Sequence, residues 1–350
     1  MPVNTKRVFY VKYLADPVFA DLLGRRPDIR LDRLENDTAE DVAAPVLAAA
    51  HVYQIGSARD EIARRFHVDA ALIERAPDLL IVSTNGVGYD TVDVEACTNA
   101  GVLVVNQAGG NREAVAEHAL GMLLTLSKRI VETNHVMRRT HPIDRTAYMG
   151  NDMFGKTVGI VGLGHVGSRI AELCRGLFAM RVLAYDPYLT AEQCEGRHAA
   201  KATLDELLSQ SDYVSVNCPL TVETRGMLGA AQFALMRKGA YFISTARGHI
   251  HDEAALAAAL QSRAIAGAGL DVWATEPPSR EHPLLQFDNV LVSPHTAGVT
   301  RETRHNMGKI AAAQVLDAID GKPVERIVNP NVWSHYARRF EQLLGFAPHA

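Results

Sequence analysis

The segment Lys156–Gly167, KTVGIVGLGHVG, constrains the fold of this chain more than any other feature. An apolar strand pattern runs into a G-x-G-x-x-G spacing formed by Gly162, Gly164 and Gly167, and a helical pattern, Ser168–Phe178, follows. In this setting the first glycine permits a tight turn, the second lets the backbone approach a pyrophosphate, and the third lets the helix pack closely on the strand. The segment therefore predicts a dinucleotide-binding unit with the pyrophosphate at the helix N-terminus.

An acidic residue follows these glycines at a characteristic distance. The apolar run Val182–Tyr185 ends in Asp186, at about the 20-residue offset where a carboxylate bonds the adenosine ribose hydroxyls. A carboxylate at this position repels a 2′-phosphate, so the pattern favours NAD over NADP. The alternative is a glycine turn in an unrelated α/β protein, with Asp186 simply solvated.

Short apolar runs alternate with helical patterns along the rest of the chain, which is typical of α/β architecture with parallel sheets. The runs are continuously apolar, as expected where helices cover both faces of a sheet. The first series of expected strands is Arg7–Val11, Ile29–Arg33, His51–Gln54, Leu79–Ser83 and Val102–Val105. The second series is Val158–Val161, Val182–Tyr185, Tyr213–Val216, Ala240–Ser244, Ala268–Asp271 and Val290–Ser293. Helices are expected at Thr38–Ala49, Asp69–Ala76 and Thr91–Ala100.

Two longer helical patterns are expected to join two doubly wound domains. Asn111–Arg138 carries apolar residues at helical spacing, and Thr300–Ile319 is followed by Gly321 and Pro323, which together form a helix stop signal. The 350 residues of the chain also suit about two domains. The topology is therefore expected to be discontinuous, with one domain interrupted by the other. The expected domains are residues 1–107 with 301–350, and residues 108–300.

Composition excludes several classes of protein. The net charge of −4 provides no basic surface for nucleic acid or an anionic membrane. No run approaches the roughly 18 apolar residues of a transmembrane helix, and the N-terminus lacks the pattern of a secretory leader. The four cysteines form no C-x-x-C pair, so neither a metal site nor a disulfide framework is indicated. We expect a soluble, cytoplasmic protein without a metal.

Three further strand ends carry groups that suit oxidation of a 2-hydroxy acid. The run AYFIST leads to Arg247, AGAGLDV is followed by Glu276, and NVLVSPH ends at His295. Side chains at the carboxyl ends of parallel strands converge, so we expect these three to meet near a nicotinamide. An imidazole exchanges protons near neutral pH, and a carboxylate beside it favours the imidazolium form. A guanidinium binds a carboxylate or carbonyl oxygen through its planar set of N–H donors.

We interpret His295 as the acid/base, Glu276 as the residue that orients it, and Arg247 as the anchor and polariser of the substrate. Taken singly, each has an ordinary alternative. His295 is one of fourteen histidines, Glu276 precedes Pro277 in a loop, and Arg247 could be a surface cation. All three lie at strand ends after the glycine motif, which favours the catalytic interpretation over these separate alternatives.

At this point the chain resembles the D-isomer-specific 2-hydroxyacid dehydrogenase family, over roughly residues 50–330. The motifs that carry the resemblance are NGVGYDTVD (Asn85–Asp93), VNQAGGNREAVAEHA (Val105–Ala119), GKTVGIVGLGHVG (Gly155–Gly167), CPLTVET (Cys218–Thr224), TARG (Thr245–Gly248), GLDVWATEP (Gly269–Pro277) and SPHTAG (Ser293–Gly298). In this family the corresponding arginine, glutamate and histidine carry catalysis, in agreement with the separate assignment of Arg247, Glu276 and His295.

The resemblance implies a Rossmann cofactor domain inserted in a flavodoxin-like substrate domain, NAD as cofactor, and a homodimer through the Asn111–Arg138 region. It implies that the loop Gly86, Val87 and Gly88 holds the substrate carboxylate together with Arg247. Cofactor contacts are implied at Gly162, Gly164, His165, Val166, Gly167, Asp186, Cys218, Pro219, Thr224, Thr245, Ala246, Asp271, His295 and Gly298.

Two segments depart from the family pattern. The loop Gly56–Asp69 is longer than in many relatives, and its Arg59 is either a phosphate- or carboxylate-binding residue or a solvated charge. After Pro330, a helical stripe of Trp333, Tyr336, Phe340, Leu343 and Leu344 must be buried, either on its own domain or at the active-site cleft.

The substrate favoured by the resemblance is glyoxylate, hydroxypyruvate or a related 2-oxo acid. Two alternatives stay open: 3-phosphoglycerate dehydrogenase activity, and a non-enzymatic NAD(H)-sensing protein of the corepressor kind. A formate dehydrogenase is disfavoured, because the family's formate enzymes carry glutamine where this chain has Glu276.

Overall fold

A computed structural model of the chain describes residues 5–139 and 141–349. The chain divides into two compact units, one formed by Met1–Asn111 with Thr300–Ala350 and the other by Arg112–Val299. Each unit contains one sheet in which every strand pairing is parallel. Among the described residues, no helix combines the length and apolar character that crossing a membrane requires.

The strands of the first unit are β1 (Lys6–Val11), β2 (Ile29–Leu34), β3 (Val52–Gly56), β4 (Ile81–Asn85) and β5 (Leu103–Val105). Those of the second unit are β6 (Thr157–Val161), β7 (Arg181–Tyr185), β8 (Ala200–Lys201), β9 (Tyr213–Val216), β10 (Tyr241–Ser244), β11 (Gly267–Leu270) and β12 (Val290–Val292). The α-helices are α1 (Val18–Leu23), α2 (Glu40–Ala48), α3 (Ala70–Arg75), α4 (Val94–Ala100), α5 (Arg112–Ser127), α6 (Ile130–Arg139), α7 (His165–Phe178), α8 (Ala191–Glu195), α9 (Leu204–Gln210), α10 (Ala230–Leu235), α11 (Glu253–Gln261), α12 (Arg301–Ile319) and α13 (Trp333–Leu344).

The sheet of the first unit has the strand order β2-β1-β3-β4-β5, which is the flavodoxin-like order. Alternate residues of β1 enter two cores: Phe9 and Val11 pack with Tyr53 on one face, while Val8 packs with Val315 of α12 on the other. Both faces of the strand are therefore covered, which explains its continuously apolar sequence.

The sheet of the second unit has the order β12-β11-β10-β9-β6-β7-β8, a Rossmann arrangement extended by β12. The strand order reverses between β6 and β9, and ligands of such sheets bind beyond the carboxyl ends at this reversal. The expected fold class, two doubly wound parallel-sheet domains of flavodoxin-like and Rossmann type, is confirmed.

The expected single helix over Asn111–Arg138 is wrong, because the structure has two helices there. The chain leaves α5 after Ser127, and Arg129 takes a left-handed backbone conformation with a φ of 53°. The Arg129 guanidinium bonds the Glu132 carboxylate and the Ala147 carbonyl, which holds the break. A non-glycine residue at positive φ leaves no sequence signal, so the pattern alone could not show this break.

The C-terminal helix α13 packs on the core of the first unit. Its Tyr336 and Phe340 are buried among residues of α12 such as Val315. Arg339 Nη2 donates to the carbonyls of Pro77 and Leu79, just before β4 begins. The helix therefore lies at the amino-terminal edge of the sheet, opposite the carboxyl edge where ligands bind. Of the two expected locations for α13, this burial supports packing on its own unit rather than at an active-site cleft.

Candidate active site

The residues expected to carry catalysis follow three adjacent strands of the second unit. Arg247 comes after β10, Glu276 after β11 and His295 after β12, and these strands are neighbours in the sheet. Because the strands are parallel, the three side chains share the carboxyl edge of the sheet. The positive charge of Arg247 acts on both other groups: it adds to the lowering of the pKa of Glu276 and partly opposes the rise in the pKa of His295.

The ring of His295 is bonded to the carboxylate of Glu276. His295 Nδ1 lies 2.8 Å from Glu276 Oε2, and Glu276 Oε1 accepts from the Trp273 amide at 3.0 Å. Burial opposes the charge of Glu276, but these bonds outweigh it and hold the pKa of Glu276 below its ordinary value. The same bond to Glu276 raises the pKa of His295 against the opposing effect of burial.

The directions of these two pKa shifts indicate which atoms of the His295–Glu276 pair carry hydrogen. An ionised carboxylate can only accept, so His295 Nδ1 carries the hydrogen of their bond. His295 Nε2 has no partner among the described residues, and the side chain is 39% exposed. This nitrogen is therefore available to take up or release a proton at a bound ligand.

The loop that carries His295 is wrapped around Asp271. The fully buried Asp271 carboxylate accepts from Ser293 Oγ at 2.6 Å, the Thr296 amide at 2.8 Å and the Ala297 amide at 2.9 Å. The Asp271 carbonyl accepts from the His295 amide at 2.7 Å. His295 has a φ of 55°, a left-handed conformation that needs such surrounding support. Asp271 thus holds the loop that carries His295.

The sequence reading missed one residue of this network, His118 of α5. Its Nε2 lies 3.0 Å from Ser293 Oγ. The single hydroxyl hydrogen of Ser293 is given to Asp271, so His118 must be the donor in this contact. His118 lies in the motif Val105–Ala119 that carries the family resemblance, but its helical spacing alone assigns it no role.

The glycine loop of the second unit has the geometry of a dinucleotide cradle. Helix α7 begins after Gly164 without a side-chain cap, and the amides of Gly164, His165 and Val166 have no acceptor within the described parts of the chain. A Cβ at Gly164 would meet nothing within 4 Å, so space for a ligand lies beside these donors. Free amides at a helix N-terminus fit the pyrophosphate of a dinucleotide.

Packing explains the other two glycines. Gly162 has a φ of 88°, and a Cβ there would lie 2.6 Å from the amide nitrogen of Cys218. A Cβ at Gly167 would lie 2.1 Å from the Gly162 carbonyl oxygen. No side chain can be accommodated at either position without moving backbone, so the close approach of strand, turn and helix depends on glycine.

Asp186 lies at the carboxyl end of β7, beside the glycine loop. Its Oδ2 accepts from the Leu163 amide at 3.0 Å, and its Oδ1 accepts from the Tyr188 amide at 3.1 Å. Each carboxylate oxygen retains capacity for a further donor such as a ribose hydroxyl. The carboxylate therefore both orders the loop and presents acceptors at its edge.

The remaining expected cofactor contacts surround the same edge of the second unit. Thr224 Oγ1 donates to the Pro219 carbonyl at 2.7 Å, which shapes the segment after β9. Thr245 Oγ1, directly after β10, is buried and has no hydrogen-bond partner among the described residues. Ala246 is buried, and Gly298 follows the Asp271-bound loop. An orphaned hydroxyl at this edge fits a bound polar group.

In the first unit, the loop after β4 presents free backbone donors. The Gly86 carbonyl accepts from Thr84 Oγ1 and the Gln107 amide, and the Val87 carbonyl accepts from the Asn106 side chain. The amides of Val87 and Gly88 have no acceptor within residues 5–139 and 141–349. Gly86 has a φ of 141°, a conformation that favours glycine. Two free amides in one turn can bind a carboxylate.

The structure places Arg59, for which the sequence left two roles open, and a second basic residue, Arg145. Arg59 Nε donates to the Asp90 carbonyl at 2.7 Å, which ties its loop to the segment after β4. Arg145 begins an exposed 3-10 turn, Arg145–Tyr148. Among the described residues, no group of three or more His, Cys, Asp or Glu side chains could hold a metal ion.

Comparison with known proteins places this site in context. A family profile described as "D-isomer specific 2-hydroxyacid dehydrogenase, NAD binding domain" matches residues 120–297. The chain is 38% identical over 310 residues to glyoxylate/hydroxypyruvate reductase B of Salmonella agona, covering 87% of this chain and 95% of that protein. It is 41% identical over 262 residues to D-3-phosphoglycerate dehydrogenase of Archaeoglobus fulgidus, covering 75% of this chain and 49% of that protein.

The chain therefore spans about half the length of the phosphoglycerate dehydrogenase that it matches. Among solved structures, the D-lactate dehydrogenase of Aquifex aeolicus complexed with NAD and lactic acid aligns with a TM-score of 0.79 and 26% identity. That alignment covers 92% of this chain and 99% of that protein.

Proposed function

This chain belongs to the D-isomer-specific 2-hydroxyacid dehydrogenases, and we propose that it interconverts a small 2-oxo acid and its D-2-hydroxy acid with NAD. The observation that carries the proposal is the His295–Glu276 pair, with Nδ1 bonded at 2.8 Å and Nε2 left without a partner among the described residues. This pair can protonate a ketone oxygen in one direction and accept the hydroxyl proton in the other.

NAD, when bound, supplies or accepts the hydride. His295 Nε2 holds the proton that passes to or from the substrate oxygen, and Glu276 stabilises the imidazolium and fixes its tautomer. Arg247 binds and polarises the substrate through its guanidinium. The free amides of Gly164, His165 and Val166 bind the pyrophosphate, and Asp186 accepts from the ribose hydroxyls.

We assign the substrate domain to residues 1–107 and 301–350 and the cofactor domain to residues 108–300. The family profile supports the second assignment, since its NAD-binding domain falls within that range. The free amides of Val87 and Gly88 support the first, because they suit the carboxylate that every 2-oxo acid carries.

Glyoxylate or hydroxypyruvate is our favoured substrate. The support is the similarity of this chain to glyoxylate/hydroxypyruvate reductase B along 95% of that protein. 3-Phosphoglycerate dehydrogenase activity is the second candidate, favoured by the 41% identity to such an enzyme. A phosphorylated substrate would need a cation at the pocket, for which Arg59 is the candidate in the loop after β3.

We further propose a cytoplasmic homodimer that associates through the Asn111–Arg138 region. Ile130, Val131 and Met137 of α6 are exposed, as are Phe154 and Leu177 of the same unit. A contiguous exposed apolar patch is typical of an association surface, and these residues are the candidates to form it. The four cysteines are free thiols, which suits a reducing compartment.

The direct test follows NADH oxidation by its absorbance with glyoxylate, hydroxypyruvate, 3-phosphohydroxypyruvate, pyruvate, 2-oxoisocaproate and phenylpyruvate, with NADPH in parallel. We expect turnover of glyoxylate or hydroxypyruvate with NADH. His295→Asn should lower this turnover by orders of magnitude. His305→Asn is the matched control and should keep it, because exposed His305 is also paired with a carboxylate, that of Asp16 at 3.2 Å. Tight NADH binding without turnover of any acid would instead support an NAD(H)-sensing protein.

A further inference from the structure

We propose that Arg197 is a positioning residue for the dinucleotide loop, acting through the carbonyl of Leu163. The inference rests on the cofactor role proposed above for the glycine loop. Arg197 lies in the turn between α8 and β8, and its Nη1 donates to the Leu163 carbonyl at 2.7 Å. Ser168 Oγ of α7 donates to the same carbonyl at 3.0 Å.

These bonds hold two consecutive peptides of the loop. The Leu163 amide donates to the Asp186 carboxylate, while the Leu163 carbonyl accepts from Arg197 and Ser168. A peptide is planar and trans, so its C=O and its N–H point in opposite directions. Directing the Leu163 carbonyl toward Arg197 therefore directs the Gly164 amide the other way, away from Arg197 and free for a ligand.

The turn that carries Arg197 is itself well anchored. The amides of Arg197 and Ala199 both donate to the carbonyl of Cys194, which is fully buried in the core of the second unit. Helix α8 begins with a capping box at Thr190. A long side chain on a fixed turn loses less freedom when it binds the loop, so its bond is an effective constraint.

The positively charged guanidinium of Arg197 lies next to the loop. Arg197, Gly164, His165 and Ser168 line one cavity of about 360 Å³. A hydrogen bond from a charged donor is stronger than a neutral one. The glycines leave the backbone of the loop free to adopt several conformations. The bond from Arg197 restricts it to the orientation that exposes the Gly164 amide.

The test measures NADH and ADP-ribose binding by fluorescence and calorimetry in Arg197→Met, with no turnover required. Methionine keeps the aliphatic stem and loses the donor. We expect the Kd for both ligands to rise about tenfold, the usual weight of one charged hydrogen bond. The two ligands share the pyrophosphate, so they should lose affinity by the same factor. The KM for NADH should rise together with the Kd.

Arg175→Met is the matched control, because Arg175 pairs with exposed Glu195 of α8 and has no hydrogen bond to the loop among the described residues. It should bind both ligands within twofold of the wild type. The Arg197→Met loss should also persist at high salt, where a through-space charge effect would be screened. Ser168→Ala removes the other donor to the same carbonyl and should weaken binding in the same direction.

Binding by Arg197→Met within twofold of the wild type would overturn the inference. So would an equal loss in Arg175→Met, or a loss that high salt abolishes. If Arg197→Met does not fold, Ser168→Ala decides: weaker binding supports the role of the Leu163 carbonyl, and unchanged binding rejects it. A wild-type protein that fails to bind NADH would instead reject the proposed cofactor role of the loop.

Discussion

Replacing Glu276 with Gln isolates the charge of the carboxylate that holds His295. The glutamine oxygen can still accept from His295 Nδ1, so the 2.8 Å contact and the orientation of the ring can survive. What is lost is the difference between a hydrogen bond to a charged group and a neutral one, about 1–1.5 kcal/mol. Both side chains are roughly one-third exposed, which keeps the estimate at this modest level. We expect kcat for 2-oxo acid reduction near neutral pH to fall roughly five- to twelvefold.

The pH dependence gives the sharper result. Glu276 raises the pKa of His295, and reduction requires protonated His295, so the reduction rate falls as the pH rises through that pKa. Removing the carboxylate charge lowers the pKa, so the fall begins at a lower pH in Glu276→Gln. Oxidation of the hydroxy acid requires neutral His295, so its rise with pH moves to a lower pH as well.

The fall of the reduction rate and the rise of the oxidation rate with pH form two limbs of the pH profile. Steady-state rates in both directions between pH 5 and 10, at saturating cofactor, measure the pH at which each limb occurs. Glu253→Gln is the matched control, because Glu253 pairs with His282 at 3.2 Å and accepts from the Ala274 amide in the loop that carries Glu276, yet has no bond to His295 among the described residues. It should leave both limbs in place. Unmoved limbs in Glu276→Gln, or an equal displacement in Glu253→Gln, would refute the role assigned to the pair.

Three further outcomes are expected. His295→Asn should lower kcat by orders of magnitude, while fluorescence titration should show NADH binding near the wild-type Kd. Near-normal turnover in this variant would contradict a catalytic role for His295. Asp186→Ala should narrow the preference for NADH over NADPH in parallel titrations, and unchanged discrimination would contradict its place at the ribose. Phe340→Ala should lower the free energy of unfolding in urea by about 3–5 kcal/mol, since the side chain is fully buried. Because α13 lies at the amino-terminal edge of its sheet, Phe340→Ala should not change the KM for any 2-oxo acid. An altered substrate preference in this variant would contradict that reasoning and indicate that the helix contributes to the active site.

Features encoded by neighbouring residues could be predicted from the sequence. The alternation of apolar runs with helical patterns shows two doubly wound units, because each strand covered on both faces must be apolar throughout. The glycine spacing after β6 is equally local, since turn, close approach and helix packing are imposed within six residues. Arg247, Glu276 and His295 could be found because each lies within six residues of the end of a recognisable strand.

Contacts between distant residues were decided by the tertiary structure. The break at Arg129 is held in part by a bond to the carbonyl of Ala147, 18 residues away, and a non-glycine residue at positive φ gives no pattern to detect. The choice of His295 Nδ1 for Glu276 depends on how two loops after different strands meet.

The same holds for Arg197, which is 34 residues from Leu163 along the chain and bonds its carbonyl. Periodicity records which face of an element is buried, and motifs record what a turn can adopt. Neither records which side chain on one turn reaches which carbonyl on another, because that distance is set by the packing of the whole sheet and its helices.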